Sequence, residues 1–321
     1  MRTITVKPIL DDKQIKDITG KFLDESYITH LCNEDTIVRK EDGQPLAVFI
    51  KNCIPGKLCE DAYYSLRKAV ALSNNRGQAA GPIPPDVKVG DKIDGLTVGK
   101  IDGNRFWPLK KDGTLSRSPK AKAVYSSIIG YADRYARIPY CRTTEFTYKH
   151  FEKYKKALPY IQFISDKFKE YLPERWANQK KQWDETHSDF KIHNSVFTTV
   201  TVNKNFRTAA HYDNGDLEEG FGNLTVLKTG NYKGGYTVIP KYGVAVDVGN
   251  CDLALFDVHE LHGNTKIESN ESYERISVVS YFRKKMIQCG SHEQELERLK
   301  NKQIFTEGTN HELQDSNTNN S

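Results

Sequence analysis

Cysteine is sparse and unpatterned in this chain. Cys32, Cys53, Cys59, Cys141, Cys251 and Cys289 stand apart with no Cys-x-x-Cys pair and no zinc-like spacing, which excludes a thiolate zinc module and a dithiol redox motif. Six free thiols are expected. Long apolar runs are also missing: nothing approaches the roughly 20 residues needed to cross a bilayer, and Met1 to Leu10 contains no apolar signal core. A soluble, intracellular protein in a reducing compartment is expected, with no membrane association and no obligate protein partner. Nor is there a strong excess of one charge. The 47 basic and 42 acidic residues leave a net +5, too small a surplus to prove a nucleic-acid partner, so local clustering carries more information than the total. No internal repeat is found. What the 321 residues do supply is 37% hydrophobic side chains, enough to fill a sizeable core without staples.

Cys59 to Ser73 reads as a helix, with Glu60 and Asp61 at its positive end and Ala62, Leu66, Ala69 and Val70 on one stripe. From Gly81 to Gly113, Gly, Pro and Asp pairs imply tight turns joining short strands. Tyr148 to Trp183 has the clearest helical period, and Pro159 and Pro173 are expected to start new helices or kink this one. After His193 the pattern changes. Six β-branched and aromatic runs follow, at Ser195 to Asn203, Leu224 to Lys228, Tyr236 to Pro240, Gly243 to Val248, Leu253 to Asp257 and Ile276 to Arg283. Their close spacing predicts a barrel-like antiparallel sandwich with two tandem helices packed outside it.

Within this β-rich half, His211-Tyr212-Asp213 places an imidazole and a carboxylate two residues apart. In an extended strand both point to one side while Tyr212 faces away. A second His-x-Asp, His187-Ser188-Asp189, lies where the helical region ends, a place where such residues ordinarily cap or stay solvated. His211 is preferred because strands, a Gly234-Gly235 turn, a distal histidine and an arginine follow in the order that a double-stranded β-helix requires. For that distal histidine, His259 and His262 compete. We expect His262, because Gly263 leaves the backbone room beside a metal and the spacing to Arg275 fits better. Two imidazoles and one carboxylate hold one face of a non-haem Fe(II) and leave the other open. Arg275 and Ser277 share a strand face, and a guanidinium fork with a hydroxyl suits the distal carboxylate of 2-oxoglutarate.

At these residues the chain resembles the 2-oxoglutarate/Fe(II) dioxygenases, and more narrowly the branch that includes the TET and J-binding-protein nucleic-acid oxygenases with their viral and phage relatives. The resemblance runs from about Ser126 to Phe282. It is densest in His211 to Asp216, Gly230 to Pro240, Leu253 to Asn264 and Arg275 to Tyr281, with further likeness in Ser126 to Tyr131 and Cys141 to Thr147. It implies an α+β protein with a double-stranded β-helix core of the jelly-roll or cupin kind and flanking helices. It also implies His211, Asp213 and His262 as iron ligands and Arg275, helped by Ser277, as the 2-oxoglutarate anchor. Cofactors would be Fe(II), 2-oxoglutarate and O2, with ascorbate as an accessory. The reaction implied consumes O2 and 2-oxoglutarate to succinate and CO2 while a C–H group becomes an alcohol. Asp213 occupies the position that a halide would need, which argues against halogenation. The Cys-rich segment of the animal TET proteins and an obvious separate base-J reader are both missing, so substrate is less fixed than chemistry.

Arg105 to Arg142 is the one strongly biased charge segment. It interleaves Arg105, Lys110, Lys111, Arg117, Lys120, Lys122, Arg134, Arg137 and Arg142 with Phe106, Trp107, Tyr125, Tyr131, Tyr135 and Tyr140. Such side chains hold phosphates and stack on bases, so DNA is the expected partner. A pyrimidine 5-methyl group reaches a buried iron only if its base leaves the stack. Arg207, Asn214 and Asp216 flank the metal motif as candidate contacts to that base. The reading is hydroxylation of the methyl group of 5-methylcytosine or thymine in DNA. Its alternatives are the same chemistry on a free nucleotide, small metabolite or protein side chain, and a catalytically silent DNA-binding module. The expected layout is an N-terminal helix and turn-rich, strand-containing region packed on the core over 1–125, the double-stranded β-helix dioxygenase domain with preceding helices over 126–290, a C-terminal helix over 291–305 and a disordered tail over 306–321.

Overall fold

The computed structural model describes residues 1–301. The first strands, β1 (Arg2–Val6), β2 (His30–Cys32), β3 (Thr36–Lys40), β4 (Pro45–Ile50) and β5 (Leu72–Ser73), alternate with helices α1 (Asp12–Ile18) and α2 (Gly56–Leu66). Next come β6 (Lys92–Ile93), β7 (Leu96–Asp102) and β8 (Arg105–Pro108), a small antiparallel sheet around Ile93, Val98 and Phe106. Strands β9 (Val124–Ala132) and β10 (Arg142–Thr143) lead into α3 (Glu145–Lys149), α4 (Phe151–Tyr171) and α5 (Pro173–Glu185). The β-rich half follows, with β11 (Thr199–Lys204), β12 (Gly222–Thr229), β13 (Lys233–Gly234), β14 (Thr237–Ile239), β15 (Val244–Val246), β16 (Leu253–Phe256), β17 (Gly263–Asn264), β18 (Ile267–Glu268) and β19 (Glu274–Tyr281).

Two sheets make the core. The larger runs β1-β3-β4-β16-β12-β19-β11-β9-β10, and the smaller runs β17-β14-β15-β2. Period-two alternation divides the larger sheet cleanly. Val200, Val202, Leu227, Leu253, Leu255, Ile276 and Val278 face Tyr160, Ile161, Ile164 and Phe168 of α4. The residues between them, including Leu224, Ala254 and Phe256, face Ile239, Val244 and Val246 of the smaller sheet. Burying side chains of this size stabilises by roughly 1.5–3 kcal/mol each. Even the polar Thr225 on the helix side is satisfied, since Tyr160 Oη donates to its Oγ1 at 2.7 Å. The double-stranded β-helix expectation therefore holds, with helices outside.

Several boundaries differ from the sequence reading. The expected Cys59 to Ser73 helix starts and stops earlier, at Gly56 and Leu66, because residues 72–73 pair with Val124 and Tyr125 of β9. Pro159 does not start a helix: it lies within the 21-residue α4, whereas Pro173 occupies the first turn of α5. The N-terminal segment contributes strands ahead of those expected between Gly81 and Gly113. β4 pairs with β16 and β2 pairs in parallel with β15. Residues 292–301 are helical, while the rest of the expected C-terminal helix and the expected disordered tail lie outside the described residues.

The expectation of six free thiols is corrected. Cys141 and Cys289 form a disulfide across 148 residues of chain, with Cα atoms 5.8 Å apart, and Cys32, Cys53, Cys59 and Cys251 remain free. Packing brings the pair together, because Cys141, Phe190, Leu217, Phe282, Met286 and Cys289 form one buried cluster. Among the described residues, no helix is long and apolar enough to cross a membrane.

Candidate metal centre and cosubstrate pocket

His211, Asp213 and His262 converge at one end of the space between the two sheets. Their ligand atoms lie within 4.8 Å of one another, the only such cluster of histidine, cysteine and acidic groups among the described residues. His211 Nε2 is 3.6 Å from Asp213 Oδ1, and His262 Nε2 is 3.6 Å from Asp213 Oδ2. Backbone pairing sets this spacing. His211 and His262 are an antiparallel bridge, with N–H to O distances of 2.9 and 3.0 Å in the two directions. The extended-strand argument for His211 and Asp213 is thus replaced: only His211 is bridged, and Asp213 follows in a loop whose N–H donates to Val258 O at 3.2 Å.

Tautomers are fixed as well. His211 Nδ1 lies 2.8 Å from Ala209 O, and His262 Nδ1 lies 3.0 Å from Glu260 O. Each Nδ1–H donated to a carbonyl leaves Nε2 as the lone-pair donor pointing at Asp213. The donor set, two imidazole Nε2 atoms and a carboxylate on one side, fits a single divalent ion held at ligand distances of roughly 2 Å. Electrostatics agree. Burial, and after it the neighbouring His262 ring, hold the His211 imidazole down to about 4. Burial pushes the Asp213 carboxyl upward, but its contacts with the two imidazoles and the more distant Arg76 guanidinium outweigh it, so the net shift is downward. Both groups are therefore in their ligating forms at neutral pH.

Gly263 is required by close approach. A Cβ there would stand 3.0 Å from the backbone of Ala209 and Ala210, the residues just before His211. Its neighbour Asn264 ties the strands together by accepting from Thr208 Oγ1 at 2.6 Å and donating to Thr237 Oγ1 at 3.1 Å. His259, the rejected alternative, turns instead to Asp257, with Nδ1 3.3 Å from Oδ1. His187 caps a short helical turn by accepting from Asp189 N–H.

A cavity of about 440 Å³ opens beside the three ligands. Arg275 and Ser277 project into it from β19, and both are buried. Arg275 donates weakly to Gly235 O at 3.4 Å, while its Nε is buried with no hydrogen-bond partner. A buried guanidinium nitrogen left unpaired is costly, which marks it as a donor awaiting an anion. The turn that receives Arg275 needs glycine: Gly234 has φ +75°, and a Cβ would lie 2.0 Å from Lys266 O. Ser277 Oγ accepts from Asn203 Nδ2 at 3.3 Å, and Asn203 Oδ1 in turn accepts from Ser126.

The three candidate base contacts separate. Asn214 is exposed where it lines the cavity, and Asp216 is buried in its wall. Burial and the Asp213 charge raise the Asp216 carboxyl well above its ordinary range. Arg207 does not reach this cavity. Its guanidinium donates to Leu23 O and to Asn264 O at 3.3 Å, covers the Phe22 ring, and lines a neighbouring cavity instead. The basic segment also divides. Arg134 pairs with Glu295, Arg142 donates to Asp133 O, and Phe106 is core. Arg105, Lys110, Lys111 and Arg117 are exposed, and Arg105 lines the cavity.

Sequence reasoning missed Arg76, Asn203, Asn264, Tyr281 and Arg283, all of which line the same space. Asn203 shares a face with Thr201 on β11, so strand alternation was a usable signal. Arg283 pairs with the buried Asp133, Nε to Oδ1 at 2.7 Å, a partner 150 residues away with no local signature.

Comparison with known proteins places this geometry in context. Residues 127–284 match the Tet_JBP family, described as the oxygenase domain of the 2OGFeDO superfamily. The thymine dioxygenase JBP1 of Trypanosoma brucei brucei is 40% identical over 164 residues, 49% of this chain and 19% of the relative. JBP1 of Leishmania major is 33% identical over 190 residues, 56% of this chain and 23% of the relative. The match thus spans about a fifth of the length of these curated relatives. A solved structure of NgTET1 in complex with 5mC DNA superposes with a TM-score of 0.57 at 14% identity, covering 94% of this chain and 91% of that one; at that identity the likeness concerns the fold.

Proposed function

Since this chain belongs, through residues 127–284, to the Tet_JBP oxygenases of the 2-oxoglutarate/Fe(II) superfamily, we propose that it hydroxylates the 5-methyl group of a pyrimidine in DNA. The observation that carries this reading is the buried, unpartnered Arg275 Nε in the same cavity as the His211, Asp213 and His262 donors. Thymine is the favoured base and 5-methylcytosine the other, because the relatives at 33–40% identity are thymine dioxygenases.

In this reading His211 Nε2, His262 Nε2 and the Asp213 carboxylate would hold Fe(II), which with 2-oxoglutarate and O2 would supply the oxidising power for C–H hydroxylation. Arg275 grips the distal carboxylate of 2-oxoglutarate, and Ser277, oriented by Asn203, donates a second hydrogen bond to it. Asp213 brings one negative charge to the centre, and the two neutral imidazoles bring none. His262 is only 5% exposed, so a base stacked in duplex cannot present its methyl group there and must be turned out of the helix. Asn214 and Asp216, on the wall beside Asp213, then meet the polar edge of that base. The exposed Arg105, Lys110, Lys111 and Arg117 support a phosphate-lined approach.

The test is succinate formation by the iron-loaded chain with and without thymine-containing DNA, followed by mass spectrometry of the digested nucleosides, with Asp213→Ala as control. Stimulation by DNA and appearance of a hydroxymethyl pyrimidine are expected. Succinate formation that DNA does not stimulate, with unmodified nucleosides, would overturn the DNA reading and leave a smaller substrate. Complete failure to consume 2-oxoglutarate would return the chain to the class of silent binding modules.

A further inference from the structure

We propose that Arg76 and Arg105 form a two-guanidinium clamp for the phosphodiester next to the nucleotide whose base enters the cavity. The clamp rests on the DNA reading above and adds to it the residues that grip the backbone. Neither arginine belongs to the family-matched segment, and both line the same cavity as His211, Asp213 and Arg275.

Their positions are set by backbone ties. Ala79 O accepts from Ala209 N–H at 2.9 Å, which fixes the loop carrying Arg76 to the residue two before His211. Asn104, adjacent to Arg105, donates from Nδ2 to Gln78 O at 3.1 Å and to Gly20 O at 2.7 Å. One Arg105 terminal nitrogen lies 3.4 Å from where a Cβ on Gly77 would stand. The two side chains therefore arise from segments pinned to each other and to the metal centre.

Unmet charge is the second observation. Among the described residues no carboxylate comes within ion-pairing distance of either guanidinium, whereas Arg283, on the same cavity, is satisfied by Asp133. Arg76 is partly withdrawn from solvent, and burial lowers its pKa while the Asp213 carboxylate opposes that shift. Arg105 is exposed. An anion that answers both must run from inside the cavity to its rim. A diacid enclosed at Arg275 does not do that, but a phosphodiester leading out from a turned-out nucleotide does. Guanidinium forks suit its paired oxygens.

The experiment uses the full iron-loaded chain with Arg76→Ala, Arg76→Lys and Arg105→Ala. Three quantities are read: the KM for 2-oxoglutarate in DNA-free turnover, the KM for a short thymine-containing oligonucleotide, and the salt dependence of DNA binding. Arg76→Ala is expected to raise the oligonucleotide KM about tenfold with the 2-oxoglutarate KM unchanged, and Arg76→Lys to recover part of the loss. Arg105→Ala should reduce the slope of log affinity against log salt by about 1. A raised 2-oxoglutarate KM with an unchanged oligonucleotide KM would assign Arg76 to the cosubstrate and overturn the clamp. So would an unchanged salt slope in Arg105→Ala, which carries the test alone should Arg76→Ala fail to fold. Wild-type chain that turns over 2-oxoglutarate but binds no DNA would sink the clamp together with the DNA reading. DNA-stimulated wild type with unaffected variants would sink the clamp alone.

Discussion

His211 and His262 face each other as a hydrogen-bonded pair, exchanging both backbone bonds at 2.9 and 3.0 Å. The distance between two proposed metal ligands is thus set by main chain rather than by side-chain contacts, so the site is preorganised before an ion arrives.

Gly263 is where this arrangement is most easily broken. Gly263→Ala forces a methyl group to within 3.0 Å of the Ala209 and Ala210 backbone. We expect a loss of about 1–3 kcal/mol, the usual range for overpacking, and weaker iron binding because the bridge is pushed apart. Urea unfolding and iron stoichiometry check both. A variant that keeps wild-type values in each would show that the close approach is not structurally demanding.

Arg275→Lys keeps a positive charge but loses the planar fork. The 2-oxoglutarate KM should rise steeply, and Arg275→Ala should cost about 2–5 kcal/mol of cosubstrate binding, the range for truncating one partner of a buried charge pair. Titration of the cosubstrate into iron-loaded protein measures this. Equal affinity in wild type and Arg275→Ala would place the anchor elsewhere.

Metal-free protein should lose stability as pH falls from about 6.5. In the folded chain His211 stays neutral down to about 4, whereas the unfolded chain takes up a proton near 6.5. The unfolded state then binds more protons across this window, so stability rises with pH within it and drops on acidification by roughly 1.4 kcal/mol per pH unit at most. Urea midpoints at pH 7 and pH 5 test the sign, and His211→Asn should flatten the difference.

The Cys141–Cys289 bond makes two measurements informative. Alkylation of unfolded, unreduced protein should label four cysteines, Cys32, Cys53, Cys59 and Cys251. Closing a loop of this length stabilises by about 4–5 kcal/mol in the chain-entropy picture, so reductant should lower the melting temperature. Six labelled thiols would remove the crosslink.

How much of this was legible in sequence depends on range. Runs of β-branched and aromatic residues mark β11, β12, β16 and β19, and in the fold Val200, Val202, Leu227, Leu253, Leu255, Ile276 and Val278 of those runs bury the same face. His211, Asp213, His262 and Arg275 stand out by residue type and order and the fold brings them to one cavity, although the 211–262 bridge, not an extended strand, sets the geometry of the first two. Arg207 was misplaced because flanking a motif in sequence does not fix direction, and Leu23 O and the Phe22 ring draw its guanidinium away. Arg76 was invisible. It sits 135 positions before His211, and only folding joins their loops. β2 escaped for a similar reason, since three residues gain strand character only through parallel pairing with β15.

The N-terminal strands have a practical consequence for anyone trimming this protein to the segment shared with its relatives. Residues 127–284 alone would strip β4 from β16 and β2 from β15, baring one unpaired margin in each sheet. Exposed margins of that kind recruit other chains. The excised fragment is therefore expected to clump, and the leading hundred residues act as a built-in shield for the oxygenase portion.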